Sequence, residues 1–299
     1  MNILVTGAWR EAKNYIPNIE ASGHKVCFLQ NEKESIPCDK NLVEGIIGNG
    51  IFLSHSIESF PNLRYIQLTS AGYDRVPIDY ISAKNIKIFN ARGVYDTPIS
   101  EMVLTGVLCL YKKVGTFFAN KNKHTWEKQR SLPEICGKNV TILGCGSIGT
   151  KCAQKFKAFG AEITGVDIRK IDDPVYDHVY FLENADEALI NADIVVVTLP
   201  LTDSTKWFIN KERIEIMKPG CVLVNVSRGE IVKTDDLIAA LKGKLAGAVL
   251  DVFENEPLEE NSPLWDMENV FITPHNSFIG EGNKKRLADL IVSNLNKEG

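Results

Sequence analysis

Three side chains that could bind and protonate a small acid lie in the second half of the 299-residue chain. Arg228, Glu256 and His275 each follow an apolar run of the kind that forms a buried strand. A guanidinium fork matches a carboxylate and keeps its charge. An imidazole exchanges a proton near neutral pH, and a neighbouring carboxylate stabilises its protonated form and fixes which ring nitrogen faces a substrate. The three residues are therefore candidates for a site that binds an acid and moves one proton, and the alternatives for each taken alone are a surface ion pair for Arg228, a solvated loop acid for Glu256 and a hydrogen-bonded loop residue for His275.

A glycine-rich turn precedes these residues and could hold a dinucleotide. It runs from Gly144 to Gly149 as Gly-Cys-Gly-Ser-Ile-Gly, directly after the apolar run Val140–Leu143. Gly144 allows a tight turn, Gly146 lets a diphosphate approach the backbone, and Gly149 lets helix and strand pack closely. Asp167 ends the next predicted strand, where its carboxylate would accept hydrogen bonds from a ribose diol and repel a 2′-phosphate. The pattern predicts a site for NAD rather than NADP, although a plain glycine turn or a methyltransferase-type nucleotide site remains an alternative.

The elements that must position these residues alternate between short β-branched runs and amphipathic segments. This alternation is typical of parallel sheets flanked by helices. The first series of predicted strands is Ile3–Val5, Val26–Leu29, Gly45–Ile47, Tyr65–Leu68 and Ile86–Phe89. The second series is Val140–Leu143, Ile163–Val166, Ile194–Thr198, Val222–Asn225, Ala246–Leu250 and Val270–Ile272. We therefore predict an α/β protein with two doubly wound parallel-sheet domains.

Two helical segments divide the chain between those domains. One long stretch, Pro98–Asn120, separates the two series of strands and is predicted to begin the second domain. A terminal segment, Lys284–Leu295, carries its apolar positions on one face and is predicted to return to the first domain. The predicted division is a substrate domain of residues 1–94 and 278–299 and a dinucleotide-binding domain of residues 95–277, with a cleft between them.

Four motifs in one order resemble the D-isomer-specific 2-hydroxyacid dehydrogenase family over nearly the whole chain. Besides the glycine turn with Asp167, they are Asn-Val-Ser-Arg-Gly at 225–229, Leu-Asp-Val-Phe-x-x-Glu-Pro at 250–257 and Thr-Pro-His at 273–275. The resemblance implies a Rossmann domain, a flavodoxin-like domain and NAD-dependent interconversion of a 2-keto acid and a D-2-hydroxy acid. It also implies that Arg228 binds the substrate carboxylate and polarises the carbonyl. His275, paired with Glu256, is implied as the proton donor and acceptor.

The resemblance implies further contacts with the cofactor and the substrate, and a homodimer. The implied cofactor contacts, beyond the three glycines and Asp167, are Ser147, Ile148, Thr198, Leu199, Pro200, Asn225, Val226 and Asp251. In the first domain, Ser70, Ala71 and Gly72 resemble the loop whose backbone N–H groups hold the substrate carboxylate. After Thr-Pro-His, the bulky Phe278 departs from the small residues of many relatives and is expected to line or narrow the pocket.

Composition argues against several other classes of protein. The formal charge of −4 and the pI near 5.8 provide no basic surface for nucleic acid. No segment reaches the ~20 apolar residues of a membrane span. Seven cysteines without a C-x-x-C pair predict buried thiols in a reducing compartment, and no metal site. We therefore expect a cytoplasmic protein that binds neither nucleic acid nor membrane.

Two questions stay open at the level of sequence. An NAD(H)-sensing binding protein, like the corepressor branch of the family, shares this fold and is the alternative to an enzyme. The substrate is also open among glyoxylate, hydroxypyruvate, branched keto acids and 3-phosphoglycerate, because each of these compounds is a 2-keto acid or a 2-hydroxy acid.

Overall fold

The computed structural model describes residues 1–297, which form two compact units. The first unit comprises Met1–Tyr95 and the chain from Gly280 onward, and the second comprises Asp96–Ile279. The last two residues of the predicted substrate domain, Glu298 and Gly299, lie outside the described residues.

The first unit is a five-stranded parallel sheet with helices. Its strands are β1 (Asn2–Thr6), β2 (Lys25–Leu29), β3 (Gly45–Gly48), β4 (Tyr65–Leu68) and β5 (Lys87–Phe89). They lie in the order β2-β1-β3-β4-β5, which is the flavodoxin-like order. Its helices are α1 (Ala12–Ala21), α2 (Ile78–Ala83) and the terminal helix, here α9 (Asn283–Asn296). Leu287, Ile291 and Leu295 of α9 pack in the same core cluster as Ile3 and Val5 of β1.

The second unit is built on a seven-stranded parallel sheet. Its strands are β6 (Asn139–Leu143), β7 (Glu162–Asp167), β8 (His178–Phe181), β9 (Ile194–Val197), β10 (Val222–Asn225), β11 (Gly247–Leu250) and β12 (Val270–Ile272). The order is β12-β11-β10-β9-β6-β7-β8, so the direction of winding reverses between β6 and β9, where dinucleotides bind in Rossmann folds. The predicted class, α/β with two doubly wound parallel sheets, is confirmed.

Six helices belong to the described part of the second unit. They are α3 (Asp96–Tyr111), α4 (Val114–Asn122), α5 (Ser147–Ala158), α6 (Ala185–Leu189), α7 (Lys211–Ile216) and α8 (Thr234–Leu241). Helix α5 buries Gly149, Cys152, Ala153 and Phe156, which recur at the three- and four-residue spacing of one helical face. Strand β9 reads Ile-Val-Val-Val with every residue buried, as expected of a strand covered on both faces. Burial of these apolar stretches holds the glycine turn between β6 and α5.

Two elements differ from the expectation from sequence. The stretch predicted as one helix, Pro98–Asn120, is two helices, because the chain breaks at Lys113 in the left-handed conformation with φ of 53°. Strand β8 was not predicted, because its apolar pattern is weak, and in the structure three of its four residues are exposed. Among the described residues, no single helix is long and apolar enough to cross a membrane. Helices α3 and α4 reach the length only as a pair bent by 63°.

Candidate active site

His275 and Glu256, predicted to act as a pair, are in direct contact. The Nδ1 atom of His275 lies 2.8 Å from Oε2 of Glu256, and about two fifths of each side chain is exposed. The other carboxylate oxygen of Glu256 accepts a hydrogen bond from the backbone N–H of Phe253 at 3.1 Å. Since the carboxylate engages Nδ1, the ring is oriented with Nε2 as the nitrogen left to face a substrate.

The loop that carries His275 is organised by Asp251, the buried residue that follows β11. Its carboxylate accepts hydrogen bonds from the N–H of Asn276 at 2.7 Å, the N–H of Ser277 at 3.0 Å and the hydroxyl of Thr273 at 2.6 Å. The hydroxyl of Ser277 also donates to it, and the N–H of His275 donates to the Asp251 carbonyl at 2.8 Å. Asp251 therefore holds the backbone on both sides of His275.

Arg228 lies on the loop after β10, next to the loop that carries Glu256. The buried Asn225 shapes this loop, since its Nδ2 donates to the Arg228 carbonyl at 2.9 Å and its Oδ1 accepts from the Ser227 N–H at 3.1 Å. A Cβ at Gly229 would lie 1.8 Å from the carbonyl carbon of Phe253. Only glycine allows the backbones of the two loops to approach this closely. The guanidinium Nη1 of Arg228 donates to the Ser227 carbonyl at 2.8 Å.

The glycine turn has the geometry that a dinucleotide requires. Gly144 adopts a φ of 95°, which strains any residue with a Cβ. A Cβ at Gly149 would lie 2.1 Å from the Gly144 carbonyl oxygen, whereas a Cβ at Gly146 would meet nothing within 4 Å. The turn is thus closed on the side of the sheet and open where a diphosphate would approach the N-terminus of the 12-residue helix α5. These residues fit the dinucleotide that the sequence predicted.

Thr198 and Leu199, predicted near the cofactor, pack on the same glycine turn. The Thr198 hydroxyl lies 2.7 Å from the Gly144 carbonyl oxygen, to which it donates. A Cβ at Gly144 would approach the Leu199 N–H and the Thr198 carbonyl at 2.9 Å. The Pro200 carbonyl accepts a hydrogen bond from the Thr205 hydroxyl at 2.7 Å, which closes the loop that follows β9.

Asp167 lies at the end of β7, beside the glycine turn. Its Oδ2 accepts the N–H of Cys145 at 2.9 Å, and its Oδ1 accepts the N–H and Nε of Arg169 at 3.0 and 3.2 Å. Burial by itself raises the pKa of Asp167. The hydrogen bonds and charge of Arg169, together with the hydrogen bond from the Cys145 N–H, lower it by more than this, so the pKa lies below its ordinary value. Asp167 is therefore ionised at neutral pH.

Ile168 and Phe208 line a pocket of about 380 Å³ next to Asp167.

The remaining predicted residues fall in three places. Ser147 and Ile148 open helix α5, and Val226 directly follows β10, so all three belong to the second unit with the trio. Ser70, Ala71 and Gly72 follow β4 in the first unit. There the Ser70 hydroxyl donates to the Gly72 carbonyl at 3.2 Å, and Asn90 donates to the Ala71 carbonyl at 2.6 Å.

Sequence reasoning missed two features of this region. Asp251 was assigned to the cofactor by resemblance alone, and its role in the loop of His275 depends on residues 22 to 26 positions away. Asp96 was given no role, as part of a stretch that departs from the family pattern, yet it is only 6% exposed and its Oδ1 accepts a hydrogen bond from the Ser147 hydroxyl at 3.3 Å. Phe278, which the sequence suggested as a residue that lines or narrows the pocket, contacts His275 edge to face, with ring centroids 6.2 Å apart. Among the described residues, no three His, Cys, Asp or Glu side chains lie close enough to hold a metal ion.

Both the sequence and the fold of this chain are similar to those of known dehydrogenases and reductases. Residues 104–277 match the family model described as D-isomer specific 2-hydroxyacid dehydrogenase, NAD binding domain. A glyoxylate reductase from Thermofilum pendens is 32% identical over 80% of this chain and 73% of its own length. A hydroxypyruvate reductase from Blautia hydrogenotrophica is 31% identical over 80% of this chain and 76% of its own length. The crystal structure of a D-isomer specific 2-hydroxyacid dehydrogenase from Xanthobacter autotrophicus, in complex with NADPH, is 27% identical and superposes with a TM-score of 0.79, covering 99% of this chain and 94% of that one.

Proposed function

Because this chain belongs to the D-isomer specific 2-hydroxyacid dehydrogenase family, we propose that Arg228, Glu256 and His275 perform its chemical step. The protein is an NAD-dependent oxidoreductase that acts on 2-hydroxy acids and 2-keto acids. The observation that carries the proposal is the 2.8 Å contact between the His275 imidazole and the Glu256 carboxylate, which prepares a proton donor after a strand of the dinucleotide-binding sheet. NAD, when bound, supplies the hydride donor or acceptor for C2 of the substrate.

His275 gives a proton to the carbonyl oxygen of the 2-keto acid during reduction and takes it back during oxidation. Its Nε2 does this, since Nδ1 is engaged by Glu256. Glu256 acts through His275 as a positioning residue, because a carboxylate on Nδ1 stabilises the protonated ring and prevents it from rotating.

Arg228 binds the carboxylate of the substrate and polarises its carbonyl. A guanidinium can form two parallel hydrogen bonds to a carboxylate and stays charged throughout the reaction. The Asn225 amide and the close contact of Gly229 with the Phe253 backbone fix the loop from which Arg228 projects. Such preorganised charge stabilises the oxyanion that develops as the carbonyl is reduced.

We assign the glycine turn, Asp167 and the loop after β9 to NAD. The open side of Gly146 admits the diphosphate, and Asp167 accepts hydrogen bonds from the adenine ribose. Its ion pair with Arg169 leaves that arginine next to the ribose 2′ position, where it would weaken discrimination against NADP. Asp251 stays assigned to the nicotinamide amide, Val226 to the cofactor, and Ser70, Ala71 and Gly72 to the substrate carboxylate, by resemblance alone.

The substrate is proposed to be a small 2-keto acid of the glyoxylate or hydroxypyruvate type. Two relatives that cover four fifths of this chain carry those names, and Phe278 against His275 narrows the space beside the proton donor.

A cytoplasmic location is proposed because all seven cysteines are free, as is usual in a reducing compartment.

A substrate panel tests the function directly. Purified protein is expected to oxidise NADH with at least one of glyoxylate, hydroxypyruvate and 2-ketoisocaproate. With the same substrate it should use NADH more efficiently than NADPH. Any chiral product should be the D isomer. The decay of NADH absorbance and chiral chromatography of the product are the measurements. If the protein binds NADH tightly but oxidises it with no 2-keto acid, the NAD(H)-sensing function replaces the proposed one.

A homodimer is proposed from the surface of α4 and the segment that follows it. None of the nine residues of α4 is buried, Phe118 is 60% exposed and Trp126 is 94% exposed. The neighbouring Phe117 of α4 is exposed as well, and adjacent exposed apolar side chains usually contact another protein surface. A second copy of this chain is the partner that the family resemblance implies.

The dimer is expected to depend on Phe118. Light scattering after size-exclusion chromatography should give about twice the 33.3 kDa of one chain for the native protein, and a large shift toward one chain for Phe118→Asp. Phe159→Asp changes another exposed phenylalanine, at the end of α5, and should leave the dimer intact. A native protein with the mass of one chain would remove the proposal.

A further inference from the structure

A buried carboxylate lies beside the turn assigned to the cofactor diphosphate, and none of the roles described above uses it. Asp96 is the first residue of α3, is 6% exposed, and accepts a hydrogen bond at 3.3 Å from the hydroxyl of Ser147. Ser147 is the first residue of α5, directly after Gly146. The carboxylate thus contacts the first residue of α5. The unpaired backbone N–H groups at the N-terminus of such a helix are the groups that can bind an anion.

The negative charge of Asp96 also acts on a second residue of α5, Cys152. Burial raises the pKa of the Cys152 thiol to about 12, and the negative charge of Asp96 adds to that increase while Lys155 opposes it. Cys152 lies more than one helical turn beyond Ser147 and is fully buried. A group closer to Asp96, such as an anion at the first turn of α5, experiences the same charge more strongly.

Two physical effects of Asp96 oppose a diphosphate at this turn. A serine hydroxyl has one hydrogen, and while Ser147 donates it to Asp96 it cannot donate it to a phosphate oxygen. In addition, a carboxylate repels a diphosphate, which counteracts the positive partial charge of the helix N-terminus. Both effects act on the phosphates and neither acts on the adenosine part of the cofactor.

We propose that Asp96 is a cofactor-affinity determinant that weakens the hold of the glycine turn on the diphosphate of NAD(H). It acts by withholding the Ser147 hydroxyl and by placing a negative charge at the N-terminus of α5. Weaker binding of the diphosphate speeds release of the oxidised or reduced cofactor after each turnover. The inference rests on the assignment of the glycine turn to the diphosphate made under the proposed function.

Calorimetric titration with ADP and with adenosine tests the inference without any measurement of activity. Asp96→Asn keeps the size of the side chain and removes its charge, and should bind ADP on the order of tenfold more tightly, with adenosine unchanged. NADH, followed by its fluorescence, should bind more tightly to the same extent. The gain should shrink at high salt, since screening reduces the repulsion.

Glu101→Gln is the matched control. It removes the same charge from the same helix, but Glu101 is 61% exposed and pairs with Lys155 at 3.6 Å. Its ADP affinity should stay within about twofold of the native value. Asp96→Ala, which also frees the Ser147 hydroxyl, should bind ADP at least as tightly as Asp96→Asn, and supplies the result if the asparagine variant folds poorly by thermal melting.

A further variant separates the hydroxyl from the charge. Ser147→Ala should weaken ADP binding more in the Asp96→Ala background than in the native protein, because only there is the hydroxyl free to donate to a phosphate oxygen. ADP binding that is unchanged or weaker in both Asp96 variants overturns the inference while the diphosphate assignment stands. ADP binding no tighter than adenosine binding in the native protein overturns both.

Discussion

Replacing His275 with alanine is expected to lower kcat by about 10²–10⁴-fold with the reactive 2-keto acid, because the carbonyl oxygen loses its proton donor. Binding of NADH should change little, since the glycine turn and Asp167 do not depend on the imidazole. Steady-state kinetics and a fluorescence titration of NADH are the measurements. Glu256→Gln should cause a smaller loss of kcat, because a neutral amide can still orient the ring but no longer stabilises its protonated form.

A second histidine–glutamate pair provides the control for this prediction. His178 lies 2.9 Å from Glu162 on the opposite edge of the same sheet, and more than half of each side chain is exposed. His178→Ala should therefore leave kcat and KM unchanged. Equal effects of the two alanine variants, or a native kcat in His275→Ala, would show that His275 is not the proton donor.

Replacing Arg228 with glutamine is expected to lower kcat by about 10²–10³-fold and to raise KM for the 2-keto acid as well. Both constants should change because the guanidinium holds the substrate carboxylate in the ground state and stabilises the developing oxyanion in the transition state. Arg228→Lys should recover part of the loss in KM, since it keeps the charge, but little of the loss in kcat, since it lacks the planar fork. The measurement is kcat and KM with the substrate found in the panel.

Arg64→Gln is the control for Arg228. Its guanidinium forms an exposed ion pair with Glu44 at 3.1 Å in the first unit, which contributes little to stability. Kinetic constants of this variant should equal those of the native enzyme. If Arg228→Gln changes KM alone, the residue binds substrate without stabilising the transition state, and its role in polarising the carbonyl is withdrawn.

The backbone at His275 supports the role proposed for that residue. His275 adopts a φ of 48°, a left-handed conformation that costs a residue with a Cβ on the order of 1 kcal/mol. Asp251 holds this conformation through hydrogen bonds from Asn276, Ser277 and Thr273. A strained backbone that several hydrogen bonds maintain is typical of a functional site, where the position of one side chain matters more than local stability.

The fold and the glycine turn could be predicted from the sequence because both depend on local patterns. Continuous apolar runs such as Ile194–Val197 are buried on both faces wherever they lie in a parallel sheet. The glycines at 144, 146 and 149 are required by the geometry of a single turn between β6 and α5. The pairing of Glu256 with His275, which are 19 positions apart, was implied by the family resemblance and does not follow from a local pattern.

Other features were not predictable because they depend on which elements become neighbours. The break at Lys113 changes the direction of the chain within a continuous helical pattern, and it leaves α4 with no buried residue. The contact of Asp96 with Ser147 joins residues 51 positions apart through the packing of two helices.

The sequence by itself thus determined the α/β class, eleven of the twelve strands in the described part of the chain, the NAD fingerprint and the identity of the candidate trio. Only the tertiary structure decided that Asp251 holds the loop of His275, that Gly229 brings the loops of Arg228 and Glu256 together, and that Asp96 contacts Ser147 at the glycine turn. The physical reason is that periodicity and turn geometry act over a few residues, whereas a hydrogen bond to a buried carboxylate depends on distances set by the packing of the whole sheet.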